Sequence, residues 1–270
     1  MSEEALVAEV ELLLSPLKGG RLANLGVLPW AAPVVAFGNP AASRVATLGL
    51  NPSNLEFVGP EGTQLYGAEK RFESLQSLKL DNWGEATRED IRRIWHSCEE
   101  YFFRNPYDRW FKRLDRLLMK TGVSYYNRIG ERACHLDLVP FATAEKWSAL
   151  SRDQRTQLVQ LGVPSLTRTL SASDVEVLVL NGATVVREFG QLLSGEGLHA
   201  QIQPTWSLQD GRVQGISYEG RVSAVGGIAL RRELLVLGFN HNIQSSFGVT
   251  SQAVANIATW IDHHAKGALA

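Results

Sequence analysis

The sequence predicts an α/β protein, a three-layer α/β/α arrangement around a central, mostly parallel four-stranded sheet. Three observations predict it. Short apolar runs of strand length recur at 44–50, 134–139, 175–180 and 233–238. Longer stretches with apolar residues at helical spacing lie between them. Strands that alternate with helices need crossover connections, and those crossovers cover both faces of a parallel sheet. No repeat and no linker-like run interrupts the 270 residues, so 1–270 reads as one domain.

Each element has a local reason. A first helix over 3–17 opens on Glu3 and Glu4 and stops at the stretch from Pro16 to Gly20. The strand at 44–50 ends at Asn51-Pro52-Ser53, because proline cannot donate to a central ladder. Residues 54–70 hold Gly59, Pro60, Gly62 and Gly67 and form a loop of functional length. Helices follow at 88–103 and 107–121, and the strand at 134–139 is closed by Pro140. A helix over 151–170 starts from Ser151 and Asp153; strand 175–180, helix 183–193, strand 233–238 and helix 250–264 complete the order. The Gly-rich, polar region 200–232 reads either as a hairpin or as an insert, and its Gly211-to-Gly227 part either as a pocket wall or as a surface loop.

Composition narrows the function classes. Hydrophobic residues at 44% and charged residues at 20% suit a globular chain and exclude disorder over most of the length. A formal net charge of -1 gives no global basic field, so any phosphate contact must come from a local patch. Two cysteines, Cys98 and Cys134, cannot build a four-cysteine zinc or iron–sulfur site, and their sparseness suits a reducing compartment. The acidic opening is unlike a signal peptide, and no apolar run approaches the roughly 20 residues that span a bilayer. The expectation is a cytoplasmic protein with no membrane contact, no metal and no cofactor.

Ligands of open α/β sheets bind at the carboxyl ends of the strands. Three strands here end in polar groups: the first in Asn51, the second in Asp137, the last in His241. Each has a structural alternative. An Asn before proline is commonly a turn residue, and a lone histidine is commonly a satisfied polar group. Asp137 sits in an apolar run, where an unpartnered carboxylate is costly. It reads equally as an ion-pair member and as a functional group.

Together these pieces resemble the uracil-DNA glycosylase superfamily. Gly49-Leu-Asn-Pro-Ser53 resembles the first catalytic motif of its mismatch-specific and single-strand-selective branches. Glu61-Gly-Thr-Gln-Leu-Tyr-Gly67 with Arg71-Phe72 resembles the loop carrying an aromatic platform for the flipped base. Leu136-Asp-Leu-Val-Pro140 is similar to the base-reading strand, which normally carries Asn, and His241-Asn-Ile-Gln-Ser-Ser246 to the second catalytic motif, here without its two prolines. The four matches keep the family's order and cover most of the chain.

The resemblance implies a monofunctional DNA glycosylase with a glycosylase-like fold, DNA as partner and an abasic site as product. Asn51 would position the attacking water, and His241 would stabilise the departing base through O2. Gly49 and Leu50 would border the base. Tyr66 would be its platform, with Phe72 the substitute. Ser53, Ser245 and Ser246 would hold phosphates, and Phe247 would wedge the stack. Arg88, Arg92, Arg93, Arg109, Arg113 and Arg116 read as a basic face or as solvated helix surface.

Asp137 in place of Asn bears on the substrate. Uracil offers an acceptor at O4 and a donor at N3, which an amide answers; cytosine offers the reverse. An ionised Asp only accepts, so it favours the N4 amino group, and a neutral Asp also donates to N3. Excision of ordinary cytosine would destroy the host genome. The expected substrate is therefore a modified cytosine, such as the hydroxymethylated or glucosylated bases of phage DNA, on which an anti-phage member of the superfamily acts. The rival readings are a uracil or damaged-pyrimidine glycosylase with Asp137 protonated or replaced as reader by Asn181, Asn240 or Asn242, a non-catalytic nucleic-acid-binding domain, and an unrelated small-molecule enzyme.

Overall fold

A computed structural model describes residues 3–195, 197–244 and 248–269. Its elements in chain order are α1 (Glu3–Lys18), β1 (Ser43–Gly49), α2 (Leu75–Leu78), α3 (Arg88–Glu99), α4 (Asp108–Leu118), β2 (Arg132–Asp137), α5 (Arg152–Ala172), β3 (Val177–Asn181), α6 (Ala183–Gly190), β4 (His199–Leu208), β5 (Val213–Val225), β6 (Ile228–Phe239) and α7 (Ser251–Leu269). The four apolar runs of the sequence are β1, β2, β3 and β6, and they pair in parallel as β2-β1-β3-β6.

The sheet has six strands, not the four expected. Region 200–232 folds as a long antiparallel hairpin, β4 and β5, that extends the sheet beyond β6 in the order β6-β5-β4. The hairpin, one of the two readings the sequence left open, has half-exposed and polar strands, with four exposed residues opening β4. Such strands lack the continuous apolar signature of a strand covered on both faces. The stretch from Gly211 to Gly227 therefore belongs to the hairpin.

The central strands read as unbroken apolar runs because both their faces are covered: every residue of β3 is buried. Helix α7 packs on β3, β4 and β6, and α5 packs on β6 and on α1. Local chemistry sets the helix starts. Thr87 and Ser151 each accept a bond from the N3 backbone N–H, and Asp90 and Gln154 bond back to the cap backbone. Gly162 of α5 lies over the end of β2, where a Cβ would stand 2.2 Å from the Leu138 carbonyl oxygen. Only glycine permits that approach, which seats the exit of β2 beneath α5. Among the described residues, no helix is long and apolar enough to cross a membrane.

Candidate active site at the carboxyl ends of β1 and β2

Parallel register places the polar ends of β1 and β2 side by side. Thr47 pairs with His135 and Gly49 with Asp137. Side chains two apart on a strand share a face, so Thr47, Gly49, His135 and Asp137 project from one face together. Beyond them opens a cavity of about 570 Å³, bordered by Gly49, Leu50, Asn51, Ser53, Glu56, Trp110, His135, Asp137 and Asn242. That volume lies inside the range of small-ligand pockets, roughly 300–1,000 Å³.

Gly49 is required for this arrangement. A Cβ there would lie 2.3 Å from Asp137 Oδ1 and 2.8 Å from His135 Nε2. The missing side chain of one strand makes the room that the carboxylate of the next strand occupies. Asp137 is buried, and His135 Nε2 stands 3.4 Å from its Oδ1. No described residue makes a hydrogen bond to this carboxylate at good geometry. His135 is itself held, with Nδ1 2.7 Å from the Thr47 hydroxyl, which also bonds the Tyr125 hydroxyl.

Asn51 is fixed by its nitrogen. Nδ2 donates to Thr143 Oγ1 at 3.0 Å and to the carbonyls of Pro52 and Phe141 at 3.1 and 3.4 Å. Thr143 spends its own proton on the Glu145 carbonyl, so it can only accept from Asn51, and this settles which way the amide is turned. The Asn51 oxygen is left as the acceptor of a side chain that borders the cavity.

Glu56 was not singled out from the sequence. It sits in the short 3-10 turn Asn54–Glu56 after the first motif, buried and bordering the cavity. Tyr101 OH donates to it at 2.8 Å and accepts from the Tyr107 N–H, while Arg71 Nε lies 3.9 Å away. Burial pushes the Glu56 carboxyl up to about 7, against the opposing pull of the Tyr101 bond and Arg71. The cavity thus contains a carboxyl that exchanges its proton near neutrality. The signal in the sequence was a carboxylate flanked by Leu55 and Phe57, the same kind of signal that marked Asp137.

Neither residue expected as an aromatic platform borders the cavity. Phe72 is buried, stacked on Tyr101 at 5.0 Å and edge-on to Phe37 at 5.2 Å, so it belongs to the aromatic block under the site. Tyr66 is 66% exposed and does not border the cavity. Two half-buried rings border it, Tyr107 just before α4 and Trp110 in its first turn, the latter 5.1 Å from His135. Their signal was the aromatic and basic alternation Tyr107-Asp-Arg-Trp-Phe-Lys-Arg113.

His241 also departs from expectation. It is buried and its Nε2 lies 2.8 Å from the Trp206 carbonyl of β4, so that nitrogen carries the proton and donates. Burial lowers its pKa, with the Trp206 bond opposing. It does not border the cavity; Asn242 and Gln244 of the same segment do. The reason is the hairpin, which adds two strands to the expected four-stranded sheet. Asn240, just before the motif, bonds Ile216 N and the Gln214 carbonyl, so the consecutive residues Asn240 and His241 fasten β5 and β4. Asn181 bonds Gln244 and does not border the cavity.

Ser53 borders the cavity, but its hydroxyl caps the 3-10 turn by accepting from Leu55 N. Ser245, Ser246 and Phe247 lie outside the described residues. The six arginines divide. Arg88 and Arg92 both pair with Glu4, and Arg93 approaches Glu73 and Asp90. Arg109, Arg113 and Arg116 on α4 have no carboxylate partner among the described residues, and Arg109 and Arg113 border the cavity. Among the described residues, no three His, Cys, Asp or Glu side chains gather as a metal ion requires. No family model matches the sequence, and no curated protein matches it.

Proposed function

We propose that the chain is a DNA glycosylase that extrudes a cytosine-type base and hydrolyses its N-glycosidic bond, with a hydroxymethylated or glucosylated cytosine of phage DNA as the substrate and defence against phage as the role. The observation that carries this reading is Asp137: a buried carboxylate at the wall of a nucleoside-sized cavity, without a hydrogen-bond donor of good geometry among the described residues. A buried acceptor in that condition calls for a donor from a ligand. The N4 amino group of a cytosine-type base supplies one, and the O4 of uracil does not.

The neighbouring groups fit the remaining tasks. Trp110 offers the extruded base a ring face, which offsets the few kcal/mol that unstacking costs. His135, steadied by Thr47, orients Asp137 and is a positioning residue. Asn51 presents an acceptor to a water beside the sugar. An amide is no strong base, and it need not be one against an oxocarbenium-like sugar. A cytosine anion leaves reluctantly, so departure calls for a proton on the base. Glu56 supplies it, a role given to no residue on the expected His241 side. The cations at the cavity rim, Arg109 and Arg113, face the flanking phosphates.

The test is base release from oligonucleotides carrying cytosine, hydroxymethylcytosine, glucosylated hydroxymethylcytosine, uracil and hydroxymethyluracil. The parent should release a modified cytosine and leave uracil. Asp137→Asn should reverse the order, with a swing of about 10⁴-fold, because a buried reader that mismatches its ligand leaves polar groups unpaired. Release of uracil alone by the parent would replace this substrate with the uracil reading. Binding with no alkali-labile site on any oligonucleotide would remove the activity.

A further inference from the structure

We propose that α4 and the groove between α4 and α7 form a track for a single strand of nucleic acid leaving the cavity, with Arg109, Arg113, Arg116 and Lys120 on its phosphates. This rests on the nucleic-acid reading of the cavity and adds the path of the strand.

The four cations fall at 109, 113, 116 and 120, on α4 and on the 3-10 turn Met119–Thr121 that extends it. At 3.6 residues per turn these positions lie within about 60° of one another, one stripe about 16 Å long. All four side chains are exposed. None has a carboxylate within ion-pair distance among the described residues, although acids are close in sequence. Asp108 is taken by Lys112 and by the Tyr126 hydroxyl, and Asp115 turns inward to Ser124 and the Tyr125 N–H. Arg113 makes one long contact, 3.4 Å to the Gln244 carbonyl, and Lys120 bonds Thr259 Oγ1 of α7 at 2.6 Å. Four exposed cations left unpaired in one line are an unscreened row of positive charge on a chain whose net charge is -1.

The stripe joins two concavities. Arg109 and Arg113 border the active-site cavity; Arg113, Arg116 and Lys120 border a second one of about 430 Å³ between α4 and α7. The floor of the second is apolar, with Ile243, Val249, Val254 and Ala258. A cationic edge over an apolar floor suits a chain with charge on one side and flat apolar faces on the other, and a nucleic-acid strand is such a chain. One narrow row fits one backbone. A duplex would call for a second cationic surface alongside, and the row of arginines on α3 is already paired with acids. At 3.4 Å per stacked nucleotide the stripe accommodates roughly four steps beyond the extruded base.

The test is the salt dependence of binding of a fluorescent single-stranded oligonucleotide of about twelve nucleotides, measured by anisotropy on the full chain. Removing two phosphate contacts with the double variant Arg116→Ala, Lys120→Ala should make the slope of log K against log salt shallower by about 1.4. Arg116→Lys alone should leave the slope unchanged, since the charge stays. The double variant Arg92→Ala, Arg93→Ala removes equal charge from α3 and should also leave it unchanged. An unaltered slope in the first double variant, or an equal loss in the α3 pair, would overturn the track. So would duplex of the same sequence binding as tightly as the single strand, or polyglutamate peptide competing at equal charge concentration. Binding is read without base release, so the track and the glycosylase activity fail separately: an altered slope with no abasic product removes the activity alone, and base release with an unaltered slope removes the track alone.

Discussion

The carboxyl ends of β2 and β6 pose the same problem and resolve it in opposite ways. Each ends in a buried stretch paired in parallel with a neighbouring strand and runs into polar residues, Asp137 in one case and Asn240-His241 in the other. At β2 the neighbouring strand offers Gly49, so the carboxylate stands in open space beside a cavity. At β6 the neighbour is the β4–β5 hairpin, and the polar side chains are consumed in holding it: Asn240 by Ile216 and Gln214 of β5, His241 by Trp206 of β4. A polar residue at a strand end is available for chemistry only when its neighbours leave its hydrogen bonds unmade. A buried polar group left unpaired costs about 1–3 kcal/mol, so structure uses such groups wherever partners are in reach.

The contrast can be broken by substitution. Glu56→Gln should have the largest effect on rate, lowering kcat by about 10³-fold, the range of a positioned general acid. With the parent, kcat should fall as pH rises through about 7, where Glu56 loses its proton, and this limb should vanish in the variant. The same variant should change stability in the other direction. The folded carboxyl sits near 7 against an ordinary 4.5, so the folded state holds its proton longer than the unfolded chain does. Stability from this group is complete below about 4.5 and is lost as pH rises through about 7, an effect of order 3 kcal/mol. Thermal unfolding at pH 8 should therefore find Glu56→Gln more stable than the parent, and a variant no more stable at pH 8 would contradict the burial of this carboxyl.

Gly49→Ala comes next. Its Cβ would displace both Asp137 and His135, and a misplacement near 1 Å at a reacting centre costs about 10²-fold. The folded state should persist by circular dichroism, and retained base release would show that Asp137 does not act from this position. His241→Ala should have the smallest effect on chemistry: kcat unchanged, with about 1–3 kcal/mol lost from unfolding in urea as the Trp206 carbonyl goes unpaired. A large fall in kcat with unchanged stability would return His241 to the active site and erase the contrast between the two strand ends.

Several residues of the candidate site were within reach of the sequence and others were not. His135 shares a face with Asp137 by the two-residue period of a strand, so Cys134-His-Leu-Asp137 already places both together once 134–139 is taken as β2. Glu56 and Trp110 carried weaker signals, a carboxylate between apolar neighbours and a tryptophan between two arginines, which become specific only when the loop and α4 converge on one cavity. Tyr66 and Phe72 show the opposite. Any aromatic near the first motif satisfies the pattern of a platform, and only packing shows that Phe72 stacks inside the core while Tyr66 stands away from the cavity. The arginines of α3 and α4 look alike in sequence, and the acids that pair with the α3 set, Glu4 and Glu73, lie at distant positions.

By itself the sequence determined the four parallel strands, the helices between them and the polar residues at the strand ends, because these follow from local periodicity and from where proline stops a strand. The tertiary structure alone decided which of those polar residues remain open to a ligand. That choice depends on the added hairpin, on the missing side chain of Gly49 and on which acids reach which arginines. All three are contacts between segments far apart in the chain, and hydrogen bonding and burial are settled only when those segments meet.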